Sequence, residues 1–264
     1  MISVCTVVTN NIIDKYLHNF LDSLVDHTKL VKEIIIVNCE QENQARTFYL
    51  KNKDINLKYL NYYIPDRAYQ HPLGLHVALD NTTQEYVLFS DPDIIFYAPV
   101  DEIYKNLIDK YNLFIVGIAH HTALGMTMQY FPCVQNCLIK KDKLPNADYL
   151  KGSLKMRFML APGHLFQDWP YTEETALSLD GKYLIHGPIP ELWKNFPAPE
   201  LNLSCDTGCN LCLYCNDIGG KWLSFQTLDC HNYTTKIYKT NFKLKDNLGN
   251  IKLLHHATNS CNSI

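Results

Sequence analysis

The stretch that decides the fold of this chain is Tyr86–Val87–Leu88–Phe89–Ser90–Asp91–Pro92–Asp93–Ile94–Ile95–Phe96–Tyr97. Its first apolar run predicts a buried strand. Pro92 should end that strand, because proline lacks a backbone donor and keeps the preceding residue extended. In extended backbone, residues i and i+2 point to the same side, so Asp91 and Asp93 are expected side by side. They would then lie at the carboxyl edge of a central strand, where α/β sheets bind ligands.

Two adjacent carboxylates repel each other, and a bound cation is the simplest way to keep both ionised. Oxygen ligands suit Mg²⁺ or Mn²⁺, which usually keep water and share the phosphates of a substrate. The sequence therefore predicts a metal site at Asp91 and Asp93. The alternative is a solvated turn, since Asp and Pro are common turn residues.

Composition describes an ordinary globular protein of 264 residues, with 47% hydrophobic and 19% charged residues. The net charge of −3 and the lack of a basic patch argue against nucleic acid as a partner. No apolar run approaches the roughly 20 residues of a membrane span, and the first residues lack the basic start of a signal peptide. Several of the ten cysteines lie in apolar runs (Cys5, Cys39, Cys137), which favours reduced thiols and a cytoplasmic location.

Hydrophobic periodicity predicts alternating strands and helices. The predicted strands are 2–8, 33–37, 57–60, 86–89, 113–118, 131–140 and 222–225. The predicted helices are 12–24 (capped by Asn10 or Asn11), 42–51, 74–81, 103–110 and 206–216. This alternation implies an α/β fold with a mostly parallel central sheet flanked by helices.

These residues resemble a nucleotide-sugar glycosyltransferase of the GT-A (Rossmann-like) fold, and are most similar to the inverting glycosyltransferase family 2. The first strand with Thr9–Asn10 is similar to that family's opening strand and loop. Asp91–Pro92–Asp93 matches its DXD metal motif. Further similarity lies in the second strand (in which Asn38 stands where the family has an acidic residue), in Gly74 and Ala78 of the helix before the metal motif, and in Cys205–Asp206–Thr207–Gly208 with Leu211 and Gly219.

The resemblance implies a single GT-A domain over 1–264, with residues 1–118 binding the nucleotide sugar and residues 119–264 binding the acceptor. It implies a UDP- or GDP-type sugar donor, a glycan or glycosylated acceptor, and Mn²⁺ or Mg²⁺. The implied metal ligands are Asp91, Asp93 and a C-terminal histidine, for which His256 is preferred over His255. The implied donor-binding residues are Thr9, Asn10, Asn38 and Asp91.

Asp206 is the residue that the resemblance implies as the general base, because an inverting transfer needs a carboxylate to take the proton of the acceptor hydroxyl. Its alternative role is a helix N-cap, for which Asp is a preferred residue. Arg67 is a candidate for gripping a pyrophosphate with its planar fork, with a surface ion pair as the alternative. His71, His76 and His120–His121 are weaker candidates for the same cleft.

Residues 145–200 are rich in proline and aromatic residues, and we expect them to bind the acceptor, with Trp169, Tyr171 and Trp193 stacking on sugar rings. The spacing of Cys205, Cys209, Cys212 and Cys215 also allows a Zn²⁺ or iron–sulfur site. The alternative is that Cys205, Cys209 and Cys212 lie on one helical face as small apolar side chains. Two other functions stay open. One is a sugar nucleotidyltransferase, and the other is a non-catalytic, nucleotide-sugar-binding homologue.

Overall fold

The computed structural model describes residues 1–41, 46, 48–52, 54–65, 67–119, 132–144, 157–158, 183–186, 204–205, 211, 214–215, 218–225, 242–245 and 251–255. The strands in chain order are β1 Ile2–Val8, β2 Val31–Asn38, β3 Asn56–Asn61, β4 Tyr86–Ser90, β5 Ile94–Phe96, β6 Ile115–Ala119, β7 Pro132–Lys140, β8 Arg157–Phe158, β9 Tyr183–His186, β10 Ser204–Cys205, β11 Trp222–Phe225, β12 Phe242–Lys245 and β13 Ile251–His255. The helices are α1 Asn10–Ile12, α2 His18–His27, α3 Arg67–Asp80 and α4 Val100–Tyr111. A π-helical turn, Ile13–Leu17, joins α1 to α2, and a 3₁₀ turn covers Lys141–Lys143.

The main sheet has the strand order β3-β2-β1-β4-β7-β6-β11-β9. Strand β1 pairs in parallel with β2 and β4, β2 with β3, and β6 with β11. Strand β7 lies antiparallel between β4 and β6, and β9 is antiparallel to β11. The predicted α/β class with a mostly parallel sheet and flanking helices is therefore confirmed.

Alternate residues of the central strands bury their side chains on opposite faces of the sheet. Val4 and Val8 of β1 pack with α2 and α4 on one face. Cys5 and Val7 pack with α3 on the other. Because both faces are covered, β1 is apolar along most of its length rather than alternating, which explains why the sequence predicted it well.

Three helix predictions need correction. Helix α3 begins at Arg67 instead of Gly74, because it includes Pro72, which sequence reading treats as a breaker. The predicted helix 42–51 is wrong for Arg46 and residues 48–51, which are not helical. The first helix is capped by neither Asn10 nor Asn11: its N-cap is Thr9, whose side chain makes no capping hydrogen bond.

The amino-end edge of the sheet holds a buried carboxylate, Glu33. Its oxygens accept hydrogen bonds from Ser3 Oγ at 2.5 Å, Lys58 Nζ at 2.8 Å and the Thr83 backbone N–H at 2.8 Å. The Thr83 hydroxyl adds a fourth contact at 3.3 Å. This cluster ties β1, β2 and β3 to the loop before β4.

A second sheet, ordered β12-β13-β5, includes the strand that follows Asp91–Pro92–Asp93. Strand β13 pairs antiparallel with β5, and His255 lies opposite Ile94. This pairing joins the C-terminal strand to the segment that follows Asp91–Pro92–Asp93. Within the described residues, no helix combines the length and apolar character that crossing a membrane requires.

Candidate functional site

Asp91, Pro92 and Asp93 form a turn directly after β4. The backbone N–H of Ile94 donates to the Asp91 carbonyl at 3.3 Å, which closes the turn and leads into β5. Pro92 takes the second position of the turn, for which its fixed φ is well suited. The strand ends before Pro92, as predicted, at Ser90 rather than Phe89, but the expectation of extended backbone from 91 to 93 is wrong. The two carboxylates are brought to one edge by a turn, not by strand alternation.

Strand β7 holds this turn from one side. The Asp91 backbone N–H donates to the Gln135 carbonyl at 2.8 Å. One residue before, Ser90 Oγ accepts a hydrogen bond from Asn136 Nδ2 at 3.2 Å, and Asn136 Oδ1 accepts one from the Tyr104 hydroxyl at 2.9 Å. Ser90, Asn136 and Tyr104 are buried, so these bonds link α4, β7 and the end of β4.

The carboxylate of Asp91 remains partly accessible. Its side chain is 19% exposed, and Oδ1 lies 3.3 Å from Nε2 of His71 on α3, whose side chain is 35% exposed. Asp93 is buried to 7% relative exposure. One accessible and one nearly buried carboxylate thus lie two residues apart at the carboxyl end of the central strand.

The chemistry of these donors fits a hard divalent cation. Both side chains offer carboxylate oxygens, the ligand type of Mg²⁺ and Mn²⁺. Among the residues that the structure describes, no group of three or more His, Cys, Asp or Glu could hold a metal. A site with only the Asp91 and Asp93 carboxylates suits Mg²⁺ or Mn²⁺, which typically bind one or two carboxylates and complete their coordination shell with water and substrate phosphates.

The registers place the ends of the other parallel strands at the same edge. Val8 pairs with Asn38, and Asn38 pairs with Asn61 of β3. Cys5 pairs with Phe89, so Asp91, two residues further on, is level with Val7, near the Thr9–Asn10 loop. Strands β2 and β3 lie on one side of β1 and β4 lies on the other, so this edge contains the topological switch point of the sheet.

Asn38 is buried, and its amide is used within the protein. Its Oδ1 accepts from the backbone N–H of Glu40 at 3.2 Å, and its Nδ2 lies 3.4 Å from Asn61 Oδ1. Glu40 in turn accepts a hydrogen bond from the Asn10 backbone N–H at 3.0 Å, at the amino end of the first helix. Sequence reading missed Glu40, although an acid just beyond a predicted strand end was visible.

The remaining predicted site residues are less completely described. Arg67 begins α3, and its side chain lies outside the described structure. Asp206 and His256 lie outside the described residues, as do His120–His121, Cys209, Cys212, Trp169, Tyr171 and Trp193. Of the predicted helix 206–216, Leu211, Tyr214 and Cys215 are described and are helical. The structure thus brings Thr9, Asn10, Asn38, Asp91 and Asp93 to one edge.

Cys5, Cys39, Cys137 and Cys215 are buried and form no disulfide bonds. Burial raises the pKa of the Cys39 and Cys215 thiols to about 12, and that of Cys5 further. These cysteines act as small apolar side chains, because the reactive thiolate is suppressed.

No protein-family model matches this sequence, and no curated protein sequence matches it significantly. Solved structures with a similar fold include TarS 1–349 of S. aureus, with 16% identity, 62% of this chain and 51% of that chain covered, and a TM-score of 0.39. The apo-form glycosyltransferase GlyE of Streptococcus pneumoniae TIGR4 has 16% identity, coverage of 58% and 37%, and a TM-score of 0.40.

A third similar structure is the mannosyltransferase PcManGT of Pyrobaculum calidifontis in complex with GDP-Man and Mn²⁺, with 14% identity, coverage of 53% and 44%, and a TM-score of 0.36. The chain spans about half or less of the length of these three proteins. At such identities and TM-scores, the assignment of a function rests on the site itself.

Proposed function

We propose that this protein is a metal-dependent glycosyltransferase that moves a sugar from a nucleoside-diphosphate sugar to a hydroxyl of a glycan or other acceptor. The observation that carries the proposal is the Asp91–Pro92–Asp93 turn at the carboxyl end of β4, beside the topological switch point. Paired carboxylates at such an edge suit a metal-bound diphosphate. A resemblance of the sequence to the GT-A family points to the same chemistry.

In this proposal Asp91 and Asp93 hold Mn²⁺ or Mg²⁺ against the diphosphate of a UDP- or GDP-type donor. The metal supplies Lewis-acid stabilisation of the negative charge on the leaving nucleoside diphosphate. His256 is proposed as a further ligand. It is the next residue after His255, whose partner Ile94 is the next residue after Asp93, so the strand pairing favours this ligand.

Glu40 makes a phosphate-binding loop of the nucleotidyltransferase type less favourable. An exposed helix N-terminus attracts phosphate through its free N–H groups and positive dipole end. Here the Glu40 carboxylate already accepts the Asn10 N–H at 3.0 Å and would repel a phosphate there. A donor diphosphate is therefore better accommodated by a cation at Asp91 and Asp93, with Thr9, Asn10 and Asn38 bordering the nucleoside.

The acceptor side is proposed to lie in residues 119–264, within a single domain over 1–264. Asp206 is proposed as the base that takes the acceptor proton, which would make the transfer inverting. Arg67 at the start of α3 is proposed to grip the pyrophosphate, since α3 also carries His71 beside Asp91. Cys5, Cys39, Cys137 and Cys215 form no disulfide bonds, which favours a reducing compartment, so we propose a cytoplasmic location.

The test is a binding and turnover screen of UDP- and GDP-sugars with and without Mn²⁺. We expect Mn²⁺-dependent binding by calorimetry, followed by release of nucleoside diphosphate when the donor is hydrolysed or transferred. Pyrophosphate release from a nucleoside triphosphate would instead support a nucleotidyltransferase. Binding without any donor turnover would support a non-catalytic homologue. Absence of Mn²⁺-dependent binding to all of these nucleotides would overturn the proposed function.

A further inference from the structure

Helix α3 is fixed closely against the carboxyl end of the sheet. A Cβ atom at Gly74 would lie 2.8 Å from Cys39 Sγ and 2.8 Å from a Val7 methyl, so only glycine allows this approach. Leu75, Ala78 and Leu79 add the apolar contacts that bury this face of the helix. Because this packing fixes α3 against the sheet, it also fixes where the residue one turn before Gly74 lies.

His71 occupies that position, three residues before Gly74. Residues at i and i+3 share a helix face, so His71 projects from the face that packs on the sheet. Its Nε2 lies 3.3 Å from Asp91 Oδ1. At 35% exposure, the imidazole is not part of the apolar core, and α3 is anchored without it.

We propose that His71 is a positioning residue, which donates an N–H to Asp91 Oδ1 and so leaves the second oxygen of Asp91 for the metal and donor. A neutral imidazole with its proton on Nε2 is sufficient for this role. The backbone of Asp91 is already held by Gln135 and by the turn to Ile94, so the carboxylate torsion is the freedom that His71 removes. This inference rests on the proposed function, because it assumes that Asp91 faces a metal.

The experiment compares H71Q, which keeps an N–H donor of similar reach, with H71L, which keeps bulk and removes the donor. Binding of Mn²⁺ is followed by electron paramagnetic resonance in the presence of the nucleoside diphosphate that the wild type binds. Unfolding by urea is measured for each protein. Matched controls are H18Q and H18L, since His18 is exposed on α2, which packs on the opposite face of the sheet.

We expect H71L to raise the dissociation constant for Mn²⁺ about tenfold, the ratio typical of one lost hydrogen bond to a charged group. H71Q should restore it to within about threefold, and the urea midpoint should not change in either variant. Equal Mn²⁺ affinities in wild type and H71L would overturn the inference, as would a loss of folding in H71L. If the wild type itself shows no Mn²⁺-dependent nucleotide binding, the proposed function fails, and the inference fails with it.

Discussion

The two edges of the central sheet use the same chemical group in opposite ways. At the amino-end edge, the Glu33 carboxylate is buried and receives four contacts from Ser3, Lys58 and Thr83. At the carboxyl-end edge, the Asp91 carboxylate is 19% exposed, with His71 beside one of its oxygens. A carboxylate whose acceptor sites are filled by the protein ties strands together, whereas an accessible one can still bind a ligand.

The hydrogen bonds that Glu33 accepts also determine the direction of its pKa shift. Burial alone would raise the pKa of Glu33, but the hydrogen bonds from Lys58, Ser3 and Thr83 outweigh it and hold the pKa below its usual value. Its negative charge is therefore part of the folded structure. The contrast between the two edges makes predictions that separate loss of function from loss of stability.

The largest expected effect is that of D93N. If Asp91 and Asp93 hold the proposed metal, removing the Asp93 carboxylate should lower transfer by about 10³-fold or more, because a Lewis-acid contribution amounts to several kcal/mol. The urea midpoint should stay near that of the wild type, since the turn lies at the end of β4. The measurements are donor turnover with saturating Mn²⁺ and unfolding by urea. D54N, which alters an exposed carboxylate, is the control, and full activity of D93N in excess chelator would contradict the metal role.

Asp206 tests whether a third carboxylate acts in catalysis or in structure. If it is the base, D206N should lower the turnover rate by about 10²–10⁴-fold while donor binding is kept. If it is a helix cap, asparagine serves nearly as well, and the free energy of unfolding should fall by about a few tenths of a kcal/mol. Single-turnover kinetics together with calorimetry of the donor distinguish the two roles. Near-normal turnover would remove the reason for expecting inversion.

Local sequence signals predicted the central strands and the carboxylate pair. Strands β1, β2 and β4 are continuous apolar runs because both faces of the sheet are covered, and such runs are visible without tertiary information. Pro92 marked the end of β4 for a physical reason that holds in the structure. Helix α3 was predicted too short because its Pro72 is tolerated within the helix.

Non-local pairing is what sequence reading could not supply. No strand was predicted for Ile251–His255, yet this segment forms β13 and pairs with β5, which follows the Asp91–Pro92–Asp93 turn. Glu33 was predicted only as a residue of the second strand. The sequence around it gives no sign that Ser3, Lys58 and Thr83 are its hydrogen-bond partners. Contacts between residues 25 to 161 positions apart leave no periodic pattern in the local sequence.

Substituting Glu33 should damage stability and spare ligand binding. E33A removes the acceptor of the buried Ser3 hydroxyl and of the Thr83 backbone N–H, while the partly exposed Lys58 ammonium keeps its hydrogen bond to the Asn81 carbonyl. A buried donor left without its acceptor costs about 1–3 kcal/mol, so E33A should lower the free energy of unfolding by about that amount. Binding of Mn²⁺ with nucleotide should not change at temperatures where the variant stays folded. E85Q is the matched control at the same edge, because Glu85 is 55% exposed and its ion pair with Lys140 lies at the surface, where such pairs contribute little to stability. Equal stability of E33A and wild type would contradict the structural role.

The pH dependence of stability should also distinguish Glu33. Its folded pKa is lowered, so its stabilisation is fully present above the unfolded pKa of about 4.3 and is lost as pH falls through the folded value. The stability difference between wild type and E33Q should therefore be constant from pH 8 to about pH 5 and shrink below it. Urea unfolding at a series of pH values measures this difference. A difference that grows toward acid pH would show that the folded pKa is not lowered.

The smallest expected effect concerns Glu40, a half-buried carboxylate at the carboxyl-end edge. It accepts one backbone N–H, that of Asn10, at the amino end of the first helix. A negative charge at this place stabilises a helix by about 0.3–1 kcal/mol, so E40Q should lower the unfolding free energy by about that amount. The dissociation constant for metal-dependent nucleotide binding should stay within about twofold of the wild-type value, because the diphosphate is expected at Asp91 and Asp93.

The alternative is that the helix N-terminus is the phosphate site. In that case, removal of the Glu40 carboxylate would strengthen the binding of nucleotide without metal. Calorimetry of UDP and GDP in chelator decides between these outcomes, and a stronger metal-free affinity in E40Q would favour a nucleotidyltransferase over the glycosyltransferase proposed here.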